Sequence, residues 1–207
     1  NYEFKYKKSK ISTCEISNQK IGEVREALNL NYHLSYPFIW KENNNFFMIP
    51  ETAQKKRIEI WQAVNFPFDW KLKKIIFEGE SFADTTFFID NHANKWLFTN
   101  KSVDKFDDHN SELYIYKVQD NNFENIEPHK FNPVITDCKT ARNAGKIFYN
   151  HKGYLIRPSQ MNISNIYGYA LNISKIVSLS IDEYIEEKLF TIKPEELNGA
   201  RGIHHVS

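Results

Sequence analysis

The chain has 207 residues, with 27 Lys and Arg against 26 Asp and Glu, and a formal net charge of +1 at pH 7. That balance gives no chain-wide field to draw it to nucleic acid or an anionic membrane, so neither is an expected partner. With 41% hydrophobic and 15% aromatic residues, it carries too much packing surface for a disordered segment and enough for a sizeable core.

No apolar run approaches the length of a membrane span. No signal peptide is visible, which points to the cytoplasm, although a chain opening Asn1-Tyr2-Glu3 lacks an initiator methionine and reads as processed. Cys14 and Cys138 match neither a zinc spacing nor a dense disulfide framework, and the simplest expectation is two buried thiols.

Residues 1–32 read as the tail of a repeat. Glu3 stands eight residues before Ile11 and Glu51 seven before Ile58, each passing through a Lys-rich turn into a strand. Glu3 and Glu51 are therefore expected to end the second strand of successive repeats, with more sequence upstream in the natural protein. The stretch 21–30 reads as a fourth strand with its loop.

The next repeat is the clearest, with strand candidates at 36–40, 46–49, 58–64 and 73–77. Residues 58–64 alternate apolar and polar side chains, as a strand with one face on a neighbouring sheet does. The following repeat takes 85–89, an Asn-rich turn, 95–99, 112–118 and a strand before Asn132. Asp84 is its unusual residue, because a carboxylate opening an aromatic, β-branched strand is costly to bury unless it is paired or has a task. Residues 104–110 have the oxygen density of a calcium loop without the EF-hand spacing, glycine or closing Glu, and read as a solvated loop.

A third repeat takes 146–149, 154–156, 167–173 and 184–192. Residues 181–187 have helix-like charge spacing but read as a turn of helix or a loop leading to the outer strand. Phe38, Phe87, Ile147 and Ile203 mark steps of about 49, 60 and 56 residues, which suit one four-stranded propeller blade per repeat. The expectation is an all-β chain, a single domain over 1–207 with three full blades in 33–201 and partial blades at 1–32 and 202–207.

The succession His33-Leu34-Ser35-Tyr36-Pro37-Phe38, Met48-Ile49-Pro50-Glu51-Thr52, Ala83-Asp84-Thr85, Asn132-Pro133-Val134, Ala141-Arg142-Asn143-Ala144-Gly145, Arg157-Pro158-Ser159-Gln160, Tyr167-Gly168 and Gly202-Ile203-His204 carries a resemblance over nearly the whole chain. It resembles the N-terminal propeller domain of the plant glucosamine inositolphosphorylceramide transferases and their bacterial polysaccharide-synthesis relatives. That family is similar in turn to the five-bladed propellers of arabinanases, levansucrases and invertases. The resemblance implies a five-bladed β-propeller of four-stranded antiparallel blades, incomplete in this chain, with a fused or associated transferase domain. Two positions depart from the family pattern: Thr85 and Asn143 each stand where a turn-setting Pro is usual.

In a propeller the first strand of each blade lines the axis, and Asp84, Arg142, His204 and Ser35 or Tyr36 fall at or just before such strands. Glu51 and Arg157 could reach the same mouth. A glycosidase needs one carboxyl group as acid and a second as nucleophile or base. Asp84 and Glu51 are the best pair, with Asp137 a third candidate. Against that stand turn-capping for Asp84, a pairing with Lys55 or Arg57 for Glu51, and buried inter-blade ion pairs for Arg142 and Arg157. Candidate ligand-binding residues are His33, Ser35, Tyr36, Arg142, Arg157, Gln160, Tyr167 and His204. Trp61 and Trp96 sit at core-like strand positions. His204-His205 is a weak metal signal, so neither metal nor cofactor is expected. Three readings stand: a carbohydrate-active enzyme, a non-catalytic domain recognising a glycan or other sugar-containing molecule, and a protein-interaction scaffold.

Overall fold

Short turns between apolar runs set the sheets. The computed structural model describes residues 2–3, 8–17, 20–102, 108–163 and 166–206. Among these, the regular structure is β-strand apart from two single 3-10 turns, Ala53–Lys55 and Pro194–Glu196. The chain packs as two units, 1–82 and 83–207.

In the first unit, β1 (Tyr2–Glu3) pairs with β2 (Lys8–Ser9), β3 (Ile11–Thr13) with β6 (Arg25–Leu28), and β4 (Ile16–Ser17) with β5 (Lys20–Ile21). A four-stranded antiparallel sheet follows: β7 (Ser35–Glu42), β8 (Asn45–Glu51), β9 (Ile58–Asn65) and β10 (Asp69–Ile76), in sequential order. The β7–β8 turn is Asn43-Asn44, with φ of 46° and 64°. Asn tolerates left-handed backbone, and two such residues make the tight turn that a twisted hairpin requires. Ile11, Leu28, Tyr32, Leu34, Met48 and Trp61 form the core. Within the same unit, the carboxylate of Glu59 is buried and accepts hydrogen bonds from Tyr32 Oη (2.7 Å), Arg57 Nη2 (2.6 Å) and Trp61 Nε1 (3.0 Å).

The second unit holds two sheets. One runs β11 (Ser81–Ile89), β12 (Lys95–Ser102), β13 (Glu112–Val118) and β14 (Ile126–Pro128), with β15 (Ile135–Thr136) on the other end of β13. The other runs β16 (Phe148–Tyr149), β17 (Leu155–Ile163), β18 (Ile166–Leu179) and β19 (Tyr184–Ile192). Both are antiparallel and sequential, as the repeats predict. Phe88, Trp96, Phe98, Leu113, Ile115, Ala141, Ile147 and Ile176 pack between them. Each such large side chain contributes roughly 1.5–3 kcal/mol on burial. All of β11 except Ile89 is buried, so it is covered on both faces and shows an aromatic and Thr run instead of an alternation.

Several expectations are corrected. The 73–77 strand starts at Asp69 and stops at Ile76, because Phe77 takes left-handed backbone at φ 54°. The 146–149 strand shrinks to two residues, because the segment before it is committed elsewhere: Asn143 bridges Ser159, and Gly145 bridges Val206 in parallel. A Cβ on Gly145 would lie 1.9 Å from the Val206 carbonyl oxygen, so only glycine admits the closing segment. Residues 181–183 form a turn rather than helix, and β19 starts at Tyr184. Both cysteines are exposed, not buried, since each lies in a loop. Residues 104–107 of the oxygen-rich loop lie outside the described residues.

Burial pushes the pKa of His33 and of His129 down. Nδ1 of His129 accepts from the Phe131 N–H (3.1 Å), so protonating it breaks that bond as well. A folded-state pKa below the unfolded value, about 6.5, means that the unfolded chain takes up protons first as pH falls. Stability is therefore expected to decline progressively as pH drops below about 6.5. Urea midpoints measured from pH 7.5 to 5 check this, and replacing both histidines by Gln should flatten the slope.

Candidate functional site

Asp84 takes left-handed backbone, φ 48°, inside β11, and its side chain is buried. Such a conformation costs roughly 1–3 kcal/mol, with Asp among the residues that tolerate it best. The surrounding polar residues account for its persistence. Asn143 Nδ2 donates to the carbonyls of Asp84 (2.9 Å) and Phe98 (3.0 Å), while its N–H donates to Asn100 Oδ1 (2.9 Å). Asn100 Nδ2 donates in turn to the carbonyls of Glu112 (2.9 Å) and Ala141 (3.0 Å). These two buried amides tie the 141–143 segment to the first sheet.

That tie brings Arg142 to Asp84. Arg142 Nε donates to Asp84 Oδ2 at 2.6 Å, with the two side chains only 12% and 4% exposed. Gln160 Nε2 donates to the same oxygen (3.3 Å), to the Asn143 carbonyl (3.2 Å) and towards Tyr167 Oη (3.5 Å). Gln160 Oε1, also buried, has no donor among the described residues. Arg142 Nη1 donates to Asn110 Oδ1 (3.1 Å), and the guanidinium lies 5.0 Å from the centroid of the Tyr167 ring. The His204 ring is 5.7 Å from that of Tyr167, on a closing segment held by the Ile203 N–H to the Gly168 carbonyl (2.8 Å).

A cleft of about 380 Å³ adjoins this cluster, lined by Asp108, Asn110, Cys138, Asn162, Ile166 and Tyr167 among others. Asn110 and Tyr167 belong to both. Burial opposes the charge of Asp108, but hydrogen bonds from Ser111 Oγ (2.5 Å) and from the Asn110 N–H and Nδ2 (both 2.9 Å) outweigh it and hold the carboxyl below its usual range. Burial, with help from neighbouring His204, pushes the His205 pKa down against the opposing pull of Asp84.

The structure thus gathers Asp84, Arg142, Gln160, Tyr167 and His204. Arg157 stands behind them, wholly buried. Its Nε and Nη2 meet the two oxygens of Glu186 (2.7 and 2.9 Å), and its Nη2 and Nη1 donate to the carbonyls of Thr140 (2.7 Å) and Ala141 (3.3 Å). Burial disfavours both charges of the pair, yet each partner holds the other ionised, raising the Arg157 pKa and lowering that of Glu186. Arg157 therefore fixes the backbone just before Arg142. Asp137 is exposed and caps the same turn, accepting from the Lys139 N–H and Thr140 Oγ1, both at 3.0 Å.

The remaining candidates lie in the first unit. Ser35 stands opposite Glu51 in the β7–β8 register. Tyr36 takes φ 41°, the counterpart in its blade of the backbone at Asp84. His33 Nδ1 lies 3.3 Å from Ser9 Oγ. Arg57 pairs with Glu59. Trp61 and Trp96 are core residues, as their positions predict. Sequence reasoning did not select Asn100, Asn110, Asn143 or Asn162; of these, Asn143 alone carried a signal, by standing where the family has Pro. Among the described residues no three His, Cys, Asp or Glu are grouped to hold a metal, and no helix is long and apolar enough to cross a membrane.

Residues 11–204 match the family model of the N-terminal region of glucosamine inositolphosphorylceramide transferase 1. The chain belongs to this family. It is 33% identical over 162 residues to glucosamine inositolphosphorylceramide transferase 1 of Oryza sativa subsp. indica, a match covering 77% of this chain and 21% of the relative. The Arabidopsis thaliana protein of the same name is 32% identical, with 77% and 20% covered. The chain thus spans about a fifth of the length of these curated relatives. Among solved structures, it is similar to an exo-β-1,3-galactanase from Phanerochaete chrysosporium (TM-score 0.56, 8% identity, 89% of this chain and 42% of that one). It is also similar to an endo-arabinase from Bacteroides thetaiotaomicron (TM-score 0.52, 14% identity, 74% and 61%) and to a thermostable family-43 glycoside hydrolase (TM-score 0.51, 13% identity, 76% and 53%). At these identities the likeness is one of fold: the four-stranded sheets are blades of a β-propeller.

Replacing Arg142 by Ala leaves a buried carboxylate without its cation, a change that costs about 3–5 kcal/mol. Asp84→Asn, which removes the charge along with the pairing, should cost clearly less. Urea unfolding of the two variants checks the ordering, and equal losses would contradict a charge-paired Asp84.

Proposed function

We propose that this chain is a glycan-recognition domain that presents a sugar-containing molecule to a transferase domain, in glycan or polysaccharide biosynthesis. The observation that carries the reading is the buried Asp84–Arg142 pair beside an open cleft with an exposed tyrosine on its wall. Buried, pre-oriented amides and charges can bond sugar hydroxyls, and an aromatic face can receive the apolar face of a pyranose ring. A carboxylate already engaged by a guanidinium at 2.6 Å is poorly placed to exchange protons or attack an anomeric carbon. Membership in a family named for a glycosyl transferase, and coverage of only a fifth of the curated relatives, support a recognition module beside a separate catalytic domain.

In this reading Asp84, Arg142, Gln160, Tyr167 and His204 shape the ligand site, while Arg157 and Asp137 hold the segment that carries Arg142. The polar residues opening the first sheet, His33, Ser35, Tyr36 and Glu51, are further ligand contacts. A glycoside hydrolase using Asp84 and Glu51 is the second reading. It is favoured by the matching left-handed backbone of Tyr36 and Asp84 at the openings of consecutive blades, and it requires the two carboxylates about 5–9.5 Å apart.

Cys138 lines the cleft, so its alkylation rate reports occupancy. In protein carrying Cys14→Ser, glucosamine or a glucosamine-containing oligosaccharide should slow labelling of Cys138 severalfold, with no product released, and Arg142→Gln should abolish the protection. Product that disappears with Asp84→Asn or Glu51→Gln would establish the hydrolase instead. An unprotected Cys138 across a broad glycan panel would favour a protein-interaction scaffold.

A further inference from the structure

We infer that the cleft beside the Asp84–Arg142 pair admits sugars without acidic groups and rejects phosphorylated or carboxylated ones, so that it reads the hydroxyl face of a glycan and leaves any phosphate outside. The inference rests on the recognition reading and adds the ligand's charge to it.

The charge inventory of the cleft carries it. Among the described lining residues, the charged side chain is Asp108. Its oxygens are already accepting from Ser111 and Asn110, which fixes the carboxylate in place as an anion. The nearest cation, Arg142, is balanced by Asp84 at 2.6 Å and also donates to Asn110. Asp137 and Lys139, on either side of Cys138 in sequence, cancel. His205, depressed by burial, is neutral at pH 7. The local sum is one negative charge in excess.

Phosphate recognition uses uncompensated Arg or Lys, or a row of backbone N–H groups. Here the hydrogen-bonding groups on the walls are of another kind: the amides of Asn110 and Asn162 and the phenol of Tyr167. Asn162 is held by its own bonds, from Nδ2 to Asn110 Oδ1 (3.3 Å) and from the Gly168 N–H to its Oδ1 (2.7 Å). Ile163, Ile166 and Tyr167 supply an apolar wall, with Tyr167 and Ile166 53% and 47% exposed. Neutral amides beside an aromatic ring suit hydroxyls and C–H groups. An added phosphate would meet Asp108 with no unshared cation to offset it, whereas an amino group would be welcome.

Protection of Cys138 from alkylation, in the Cys14→Ser background, gives a readout located at the cleft. The probes are methyl glucoside and glucosamine, each against its 6-phosphate, at low and high salt. Glucosamine should protect at least as well as methyl glucoside, and the phosphates at about tenfold higher concentration or not at all, with the gap narrowing as salt screens the repulsion. Asp108→Asn should narrow the gap at low salt. A phosphorylated sugar that protects as well as or better than its parent overturns the inference while leaving glycan recognition standing. The same holds for a gap unmoved by both salt and Asp108→Asn. If no sugar protects Cys138, recognition and the inference fall together.

Discussion

A carboxylate can be buried inside a strand only if something cancels its charge, and the second unit is arranged around that requirement at Asp84. Taking an ion pair out of water is expensive, and the mutual attraction repays it only with close geometry and further hydrogen bonds. Both are present: a 2.6 Å contact to Arg142, a second donor in Gln160, and Asn143 on the backbone carbonyl that the left-handed turn presents. The arrangement also needs Arg142 to stay where it is. That is the task of the Asn100–Asn143 amide chain and of Arg157, whose guanidinium grips the two carbonyls preceding Arg142.

The same rule operates elsewhere without reaching a cleft. Glu59 in the first unit is surrounded by Tyr32, Arg57 and Trp61, and burial together with Glu59 pushes the Tyr32 pKa up to about 12. Glu186 in the second unit is held by Arg157 and by Tyr184 at 2.5 Å. Each combines a carboxylate with a guanidinium and a phenol, and each fixes the backbone. The Asp84 pair differs in its surroundings, since Arg142 also meets Asn110 and Tyr167, which face open space. A buried charge network therefore becomes a candidate binding site here through its neighbours rather than its own chemistry.

The blades were legible because their strands alternate or run apolar between Asn- and Gly-rich turns; Glu112–Val118 and Tyr184–Ile192 fall where the pattern places them. Asp84 and Arg142 were legible as misfits, a charge opening an apolar strand and a charge beside small residues. Their partnership was not, because 58 residues separate them and only the packing of one blade on the next brings them together. Arg157 looked like a ligand contact from its place near a strand mouth, yet Glu186 on an outer strand draws it into the interior. The asparagines were missed for a related reason: in a sequence with many Asn-rich turns, a buried Asn that satisfies backbone carbonyls looks like any other. Strand ends set by one left-handed residue, such as Phe77, leave no trace in periodicity at all.

A double-mutant cycle on glycan affinity tests the central claim most directly, comparing Asp84→Asn, Arg142→Gln and the double variant by calorimetry with the sugar that protects Cys138. If the pair works as one unit in recognition, either substitution removes most of the affinity and the double variant loses little more, a coupling of about 1 kcal/mol or greater. Strictly additive losses, or affinity unchanged by both substitutions in folded protein, would contradict it.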